Sequence, residues 1–281
     1  MKWSVIGHER QKKIFSRILA SGSFAHAYLF SGPAMVGKRS FALEFIAVDH
    51  REAVPGSQDP YLTVVSHGER DSIPIDDIRE LRRALSLTAP SGIRRFIVID
   101  DAERMTHEAS NALLKILEEP PSDVVFVLIS SQPGSLPDTV RSRCHEVKFS
   151  SVSEHDSATF IAERKIPVSL RNDMLILAAG RPGLVVSLME KNTLEQAVAD
   201  SKALDLRLKD GIAERLVWAK ELAARDDLES VVVGWIAVQR RAMGTDNASP
   251  VRLHALLELQ ETLGNPSLNA RLAVEHFLLT V

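Results

Sequence analysis

The chain has very little cysteine and no long apolar run. Its single cysteine, Cys144, excludes an internal disulfide and any multi-cysteine zinc site built by this chain alone. One free thiol fits a reducing compartment. The longest apolar runs, at residues 124–129 and 96–99, are far shorter than the ~20 residues that span a bilayer. The first residues, MKWSVIGHERQKK, show no apolar export signal, so we expect no membrane and a cytoplasmic location.

An excess of positive charge is also lacking. The 34 basic and 37 acidic side chains give a formal net charge of −3, which argues against a surface built wholly for DNA. Net charge does not describe local patches, and six basic side chains could contact a DNA backbone, although solvated helix faces and turns explain them equally well: Lys12, Lys13, Arg82, Arg83, Arg94 and Arg95. The 281 residues, 45% of them hydrophobic, suffice for two domains or three small ones.

Apolar strands alternate with amphipathic helices over the first half of the chain. The predicted strands are AYLF, YLTVV, RRFIVI, VVFVLISS and CHEVKF, and the predicted helices cover residues 8–22, SFALEFIAV, 75–87 and 106–119, with Thr106 as an N-cap. This alternation predicts an α/β domain with a parallel sheet covered on both faces, at residues 1–150.

After Phe149 the pattern becomes helical. Proline and glycine clusters break it into helices, which we divide into a small lid domain at 151–191 and an all-α C-terminal domain at 192–281. The stretch SVVVGWIAV at 230–238 is the one β-like segment here, and a buried helix suits it equally well.

The loop GPAMVGKRS lies between a predicted strand and a predicted helix. Residues 32–38 fit the first seven positions of the phosphate-binding pattern G-x-x-x-x-G-K-[ST], with Gly32, Gly37 and Lys38 at the defining positions. The alternative is a tight turn that only packs. Arg39 stands where the pattern places a Mg²⁺-ligating hydroxyl, and Ser40 lies one residue, roughly 100° of helix rotation, further on.

Two aspartates close the strand FIVIDDAE. Asp100 stands where a magnesium-directing aspartate belongs, and Asp101 follows where many such ATPases carry a glutamate that polarises water. An aspartate is one methylene shorter, and a displacement of about 1 Å can cost roughly a hundredfold in rate. Asp101 reads equally well as a loop or helix-start carboxylate, and His50, with Asp49 and Asp59, reads far better as part of a solvated loop than as a metal site.

Arg141 and Arg143 precede Cys144 in LPDTVRSRCHEV. An arginine given by one subunit to a phosphate on another can contribute about 10³ to 10⁵ in rate. From chemistry alone, a solvated or salt-bridged arginine pair is the stronger reading.

Three segments together resemble the bacterial DNA polymerase III clamp-loader family, and within it the delta-prime subunits most closely: SGPAMVGKRSFALEFIA, FIVIDDAERMTHEASNALLKILEEPP and SLPDTVRSRC. The resemblance covers roughly residues 1–190. It implies an AAA+ type P-loop domain, a helical lid and a C-terminal oligomerisation domain. The family's Ser-Arg-Cys signature maps onto Ser142, Arg143 and Cys144 and implies that Arg143 is an arginine finger acting in trans. Ser130 and Ser131, at the end of a predicted strand, align with a phosphate-sensing position, and the alternative is a strand-end hydroxyl that satisfies the backbone.

The chain departs from the hydrolysing relatives at three positions. They carry Gly-Lys-Thr or Gly-Lys-Ser, then Asp-Glu, then a lid arginine, whereas this chain has Arg39, Asp101 and Gly183, with Arg181 close enough to leave the lid alignment open. These changes predict a subunit that does not hydrolyse ATP and leave open whether ATP binds at Lys38. The cysteine-rich zinc module that many relatives carry is absent from 48–60, so zinc bound by four cysteine thiolates is excluded.

The resemblance implies a hetero-oligomer with the delta and gamma/tau subunits, which loads the sliding clamp onto primed DNA as part of the DNA polymerase III holoenzyme, a DNA-directed DNA polymerase and nucleotidyltransferase. Two alternatives stay open at this point. One is a catalytically active gamma-type ATPase subunit, and the other is a nucleotide-binding regulatory module outside replication.

Overall fold

The computed structural model describes residues 3–50, 59–85, 93–121, 123–225, 227–243, 249–263 and 268–281. The chain divides into two compact units, Met1–Asp156 and Ser157–Val281. The separation of the second unit into a lid and a C-terminal domain stays a prediction.

The first unit is a parallel α/β sheet, as the sequence predicts. Its described strands are β1 (Ala27–Ser31), β2 (Leu62–Val65), β3 (Arg95–Ile99), β4 (Val124–Ser130) and β5 (His145–Lys148), in the order β2-β3-β4-β1-β5, and each neighbouring pair is parallel. The helices are α1 (Glu9–Ser21), α2 (Lys38–His50), α3 (Ile75–Leu85), α4 (His107–Glu118) and α5 (Asp138–Arg141), with short 3-10 helices at Ala102–Arg104 and Pro133–Ser135. The predicted end of α3 at residue 87 lies outside the described residues.

The central strands are buried on both faces because their side chains alternate between two cores. In β4, Phe126 and Leu128 enter one core with α3 and α4, whereas Val125, Val127 and Ile129 enter the other with α1 and α2. Near-continuous apolar strands are expected when helices cover both faces of a parallel sheet.

The glycine-rich loop connects β1 directly to α2, so the predicted order of strand, loop and helix is confirmed. Gly32 has a φ of +136°, and a Cβ built there would lie 2.1 Å from the carbonyl oxygen of Phe149. Only glycine fits this close approach of two backbone segments. The predicted cap of α4 is also confirmed, because the Thr106 side chain accepts a hydrogen bond from the Ala109 amide at 3.1 Å.

The second unit is helical in its described part. Its helices are α6 (Glu154–Ala162, which begins just before the division), α7 (Val168–Ala178), α8 (Pro182–Glu190), α9 (Leu194–Arg207), α10 (Ile212–Ala223), α11 (Leu228–Ala242), α12 (Pro250–Leu263) and α13 (Ala270–Thr280). The ambiguous segment at 230–238 lies within α11, where Trp235 is buried. None of the described helices combines the length and the apolarity that crossing a bilayer requires.

Candidate functional site

The sequence-predicted nucleotide motifs meet at one edge of the sheet. Gly32 follows β1, Asp100 follows β3, and Ser131 follows β4, the strand that lies between them. The carboxyl ends of parallel strands share an edge, which is where ligands bind in open α/β sheets. The topology therefore places these residues around a single site.

Lys38 is buried at the start of α2 and points back into its own loop. Its Nζ donates to the carbonyl oxygens of Gly32 at 2.6 Å and Pro33 at 2.7 Å, and the residue is only 6% exposed. Burial lowers the pKa of Lys38, and the nearby carboxylates of Glu103, Asp100 and Asp101 act in the opposite direction. The loop's own carbonyls thus hold the ammonium group.

Arg39 joins the loop to the end of β3. Its Nη1 donates to Asp100 Oδ2 at 3.2 Å, and the Asp100 side chain is mostly buried while that of Arg39 is half exposed. Burial and the neighbouring Asp101 raise the pKa of Asp100, against the lowering effect of Arg39. The residue in the hydroxyl's position therefore forms an ion pair with the expected metal-directing carboxylate.

Asp101 is held at the start of the short helix Ala102–Arg104. It has a left-handed backbone, with φ 50° and ψ 51°, and its Oδ2 lies 3.2 Å from Nε2 of His67. His67 Nδ1 in turn lies 2.7 Å from the carbonyl oxygen of Arg70. Asp101 therefore stands at a helix start without capping it through its side chain, and its role toward water stays a prediction.

Ser131 contacts a carboxylate. Its amide and its hydroxyl both donate to Glu103 Oε1, the amide at 2.9 Å, and Glu103 Oε2 is buried without a hydrogen-bond partner. Burial acts to raise the pKa of Glu103, but hydrogen bonds led by those from Ser131 lower it overall. The predicted phosphate-sensing hydroxyl therefore satisfies an internal acid in this structure. Its role toward phosphate stays a prediction.

Magnesium does not fit the side chains at this site. Position 39 offers no oxygen, and its guanidinium already pairs with Asp100. Ser40 occupies the next, exposed position of α2. Among the described residues, no group of histidine, cysteine and carboxylate side chains could hold a metal ion.

Arg143 lies at the opposite edge of the sheet from the glycine-rich loop. It precedes β5, whose first residue, His145, pairs with Tyr28 near the start of β1, whereas Lys148 pairs with Ser31 next to the loop. Since a strand rises about 3.3 Å per residue, the length of β5 alone separates the two edges by about 10 Å. Arg143 therefore lies at the other end of the strands from this chain's own site.

The Arg143 guanidinium is on the surface and held by two acceptors. Nη2 donates to Glu118 Oε1 at 2.7 Å, Nη1 donates to the carbonyl oxygen of Thr139 at 2.9 Å, and 35% of the side chain is exposed. Arg141, two residues earlier, pairs with Asp138 at 3.0 Å on the exposed side of α5. The two arginines of the motif thus have different surroundings, which makes Arg141 a natural control for Arg143.

Cys144 is partly buried and packs against the core cluster beneath this loop. Burial raises the pKa of its thiol from 9.0 to about 12, so at pH 8 the thiolate is about a thousandfold scarcer than in an unfolded chain. We therefore expect a disulfide reagent to label the native protein about 10³ times more slowly than the urea-unfolded protein. Because this is the single cysteine, the labelling signal is unambiguous, and Cys144→Ser is the blank. Native and unfolded rates within tenfold of each other would contradict the prediction.

The two residues considered for the predicted lid, Arg181 and Gly183, lie in the second unit. Arg181 donates through Nε to the carbonyl oxygen of Ala178 at 3.0 Å and through Nη2 to that of Leu177 at 3.1 Å, so its guanidinium caps the end of α7. Burial lowers its pKa. Gly183 lies in the first turn of α8. Arg181 is the arginine nearest to the expected lid position, and its guanidinium is therefore already hydrogen-bonded to backbone carbonyls of its own unit.

The interpretation of His50 as part of a solvated loop is wrong. His50 ends α2 and is buried, with Nδ1 2.7 Å from Asp59 Oδ2 and Nε2 2.8 Å from the carbonyl oxygen of Arg94. Asp49 pairs with Arg94, which also stacks on Phe24. These contacts fasten the end of α2 to the start of β3, and residues 51–58 lie outside the described part.

Internal ion pairs also involve some of the basic residues considered for DNA. Arg94 bonds to both carboxylate oxygens of Asp49, and Arg95 bonds to both of Asp123. Lys12 pairs with Glu9 within α1. These contacts give the three residues a structural role.

Two residues of these sites, Glu103 and Glu118, were missed by the sequence interpretation, and the contact of His67 with Asp101 was not foreseen. Glu103 carried a signal, since it lies in the quoted segment FIVIDDAE. Glu118 also lies in a quoted segment, but nothing in the sequence pairs it with Arg143, 25 residues away, and nothing pairs His67 with Asp101, 34 residues away.

Solved structures show the fold class of the chain. A DNA polymerase III gamma subunit-related protein from Thermotoga maritima aligns with a TM-score of 0.56 at 20% identity, covering 97% of each chain. The RuvB Holliday junction branch migration motor of the same organism aligns at 0.50 and 18% identity, covering 98% of this chain and 88% of its own. Together with the P-loop order of strand, loop and helix, these similarities define an AAA+ type fold.

Sequence comparison gives the family. The profile described as "DNA polymerase III, delta subunit" matches residues 7–153. The delta-prime subunit of Pseudomonas aeruginosa is 30% identical over 72% of this chain and 67% of its own length, and the tau subunit of Bacillus subtilis is 31% identical over 53% and 29%. The chain belongs to the delta-prime family of bacterial DNA polymerase III clamp-loader subunits, proteins of DNA replication.

Proposed function

We propose that this chain is the delta-prime subunit of a clamp loader, which assembles with delta and gamma/tau subunits and helps to place the sliding clamp on primed DNA. In this assembly it donates Arg143 to the ATP site of a neighbour and does not hydrolyse ATP itself. Its catalytic contribution belongs to the complex rather than to the isolated chain.

The observation that carries this proposal is that the glycine-rich loop and Arg143 lie at opposite ends of the strands of the sheet. At the loop edge, Arg39 and Asp100 form an ion pair in place of a hydroxyl and a metal-directing acid. At the other edge, Arg143 presents a guanidinium at the surface. A chain with an inactive site and an outward arginine is suited to assist hydrolysis elsewhere.

The decisive experiment combines assembly and turnover. The purified chain is mixed with delta and gamma/tau subunits from the same source and passed over a sizing column, where we expect one co-eluting complex. The isolated chain should release phosphate from ATP at the background rate, with no difference between the wild type and Lys38→Ala.

Each alternative function has its own outcome in this experiment. A gamma-type ATPase would turn over ATP in a Lys38-dependent manner. A regulatory module outside replication would elute apart from delta and gamma/tau. Either result would contradict the proposal.

A further inference from the structure

The two positive charges at the glycine-rich loop, those of Lys38 and Arg39, both contact groups of the protein itself. Lys38 is buried against the loop carbonyls, and Arg39 extends from the first turn of α2 to Asp100 at the end of β3. The side chain of Asp100 is 15% exposed and that of Arg39 is 54% exposed, so the carboxylate of the pair is partly desolvated and the guanidinium is not. Opposite charges interact more strongly in a partly desolvated position than in bulk water.

In P-loop proteins that use Mg²⁺, the ion joins these same two elements. A hydroxyl at the position of Arg39 ligates it, and a carboxylate at the end of another strand, as at Asp100, helps to hold it. Here a metal ion would lack that oxygen, would have to displace the guanidinium from Asp100, and would lie beside a like charge. Each of these terms opposes metal binding.

We propose that Arg39 is a built-in substitute for Mg²⁺, which joins α2 to β3 through Asp100 and closes the site to magnesium-bound nucleotide. The inference rests on the proposed function, because a site that hydrolysed ATP in the usual way would need the metal. It goes further than the proposed function because it assigns the exclusion of magnesium-bound nucleotide to one residue, Arg39.

The remainder of the loop retains the geometry of a phosphate site. Gly32 and Gly37 have φ of +136° and +103°, and Lys38 begins α2 as the pattern requires. Backbone amides in such a loop bind anions at a helix N-terminus. Replacement of Arg39 by threonine supplies the absent hydroxyl and frees Asp100, so a gain of metal-dependent binding is expected from a single substitution.

The test uses the full chain and a non-hydrolysable ATP analogue, with affinity measured by titration calorimetry in Mg²⁺ and in EDTA. We expect the affinity of the wild type for the analogue to differ by no more than twofold between Mg²⁺ and EDTA. A wild type that binds the analogue in neither condition also meets this expectation. Arg39→Thr should bind at least tenfold more tightly with Mg²⁺. Arg39→Lys, which keeps a cation but supplies no oxygen, should resemble the wild type, and Lys38→Ala added to Arg39→Thr should abolish the gain.

Two results would overturn the inference: a tenfold Mg²⁺ preference in the wild type, or a folded Arg39→Thr protein without one. If circular dichroism shows that Arg39→Thr does not fold, the wild-type and Arg39→Lys titrations decide, because a Mg²⁺ preference in either contradicts the proposal and its absence in both supports it. Phosphate release by the isolated wild type would instead contradict the proposed function, and binding affinities do not measure that release.

Discussion

Replacement of Arg143 by alanine in the reconstituted complex is expected to lower hydrolysis at the adjoining ATP site by about 10³ or more. A guanidinium supplied in trans stabilises charge that develops on the transferring phosphate, and fingers of this kind contribute about 10³ to 10⁵ in rate. Because the stabilisation arises in the transition state, kcat for that site should fall while KM for ATP changes little. The measurement is ATP hydrolysis stimulated by clamp and primed DNA.

The matched control for this prediction is Arg141→Ala. Arg141 ends α5, two residues before Arg143, and pairs with Asp138, and its side chain is 40% exposed against 35% for Arg143. We expect the control complex to keep its full rate. Both complexes should co-elute intact on a sizing column. If the Arg143→Ala complex were intact and hydrolysed ATP at the wild-type rate, Arg143 would not be a finger.

The second large effect concerns stability. Gly32→Ala would place a Cβ 2.1 Å from the Phe149 carbonyl oxygen, at a φ of +136° that side chains rarely adopt. Backbone atoms on both sides would have to move, and overpacking together with a strained φ gives a loss of about 3 kcal/mol or more in the free energy of unfolding. This is a large share of the ~5–15 kcal/mol that stabilises a typical domain. Urea unfolding measures the loss, and hydrogen exchange of the β1 amides reports on the first unit specifically.

Gly22→Ala separates the clash from the backbone strain. Gly22 also has a positive φ, +66°, but a Cβ there would meet no atom within 4 Å. Strain alone predicts a loss of about 1 kcal/mol. Equal losses for the two variants would show that the approach of Phe149 to the loop does not constrain position 32.

The sequence predicted the first unit well because its signals are local. Apolar strands, the cap at Thr106 and the glycines of the loop each depend on residues close together in the chain. The contacts of the site could not be obtained in this way. The partners of Asp101, Arg143 and His50 come from other elements, and whether a carboxylate faces a metal, a histidine or an arginine depends on packing between those elements.

The error at His50 has the same origin. The sequence around it is polar and contains proline and glycine, which indicates a loop, yet the ring is buried between Asp59 and the Arg94 carbonyl. A polar side chain can be buried when all its hydrogen-bonding groups find partners. Local composition does not reveal whether partners arrive from distant segments.

The glycine-rich loop and Arg143 lie at opposite ends of the strands, so the two sides of the domain differ in what they offer a neighbour. Domains that meet head to tail each offer an arginine on one side and a nucleotide site on the other, and such contacts are heterologous. A chain that keeps the donor side but has an ion pair in the receiving site can complete a neighbour's chemistry without needing its own completed. In the assembly that we propose, such a chain fits one end of a row of ATP sites, because its own site has no use for a neighbour's arginine.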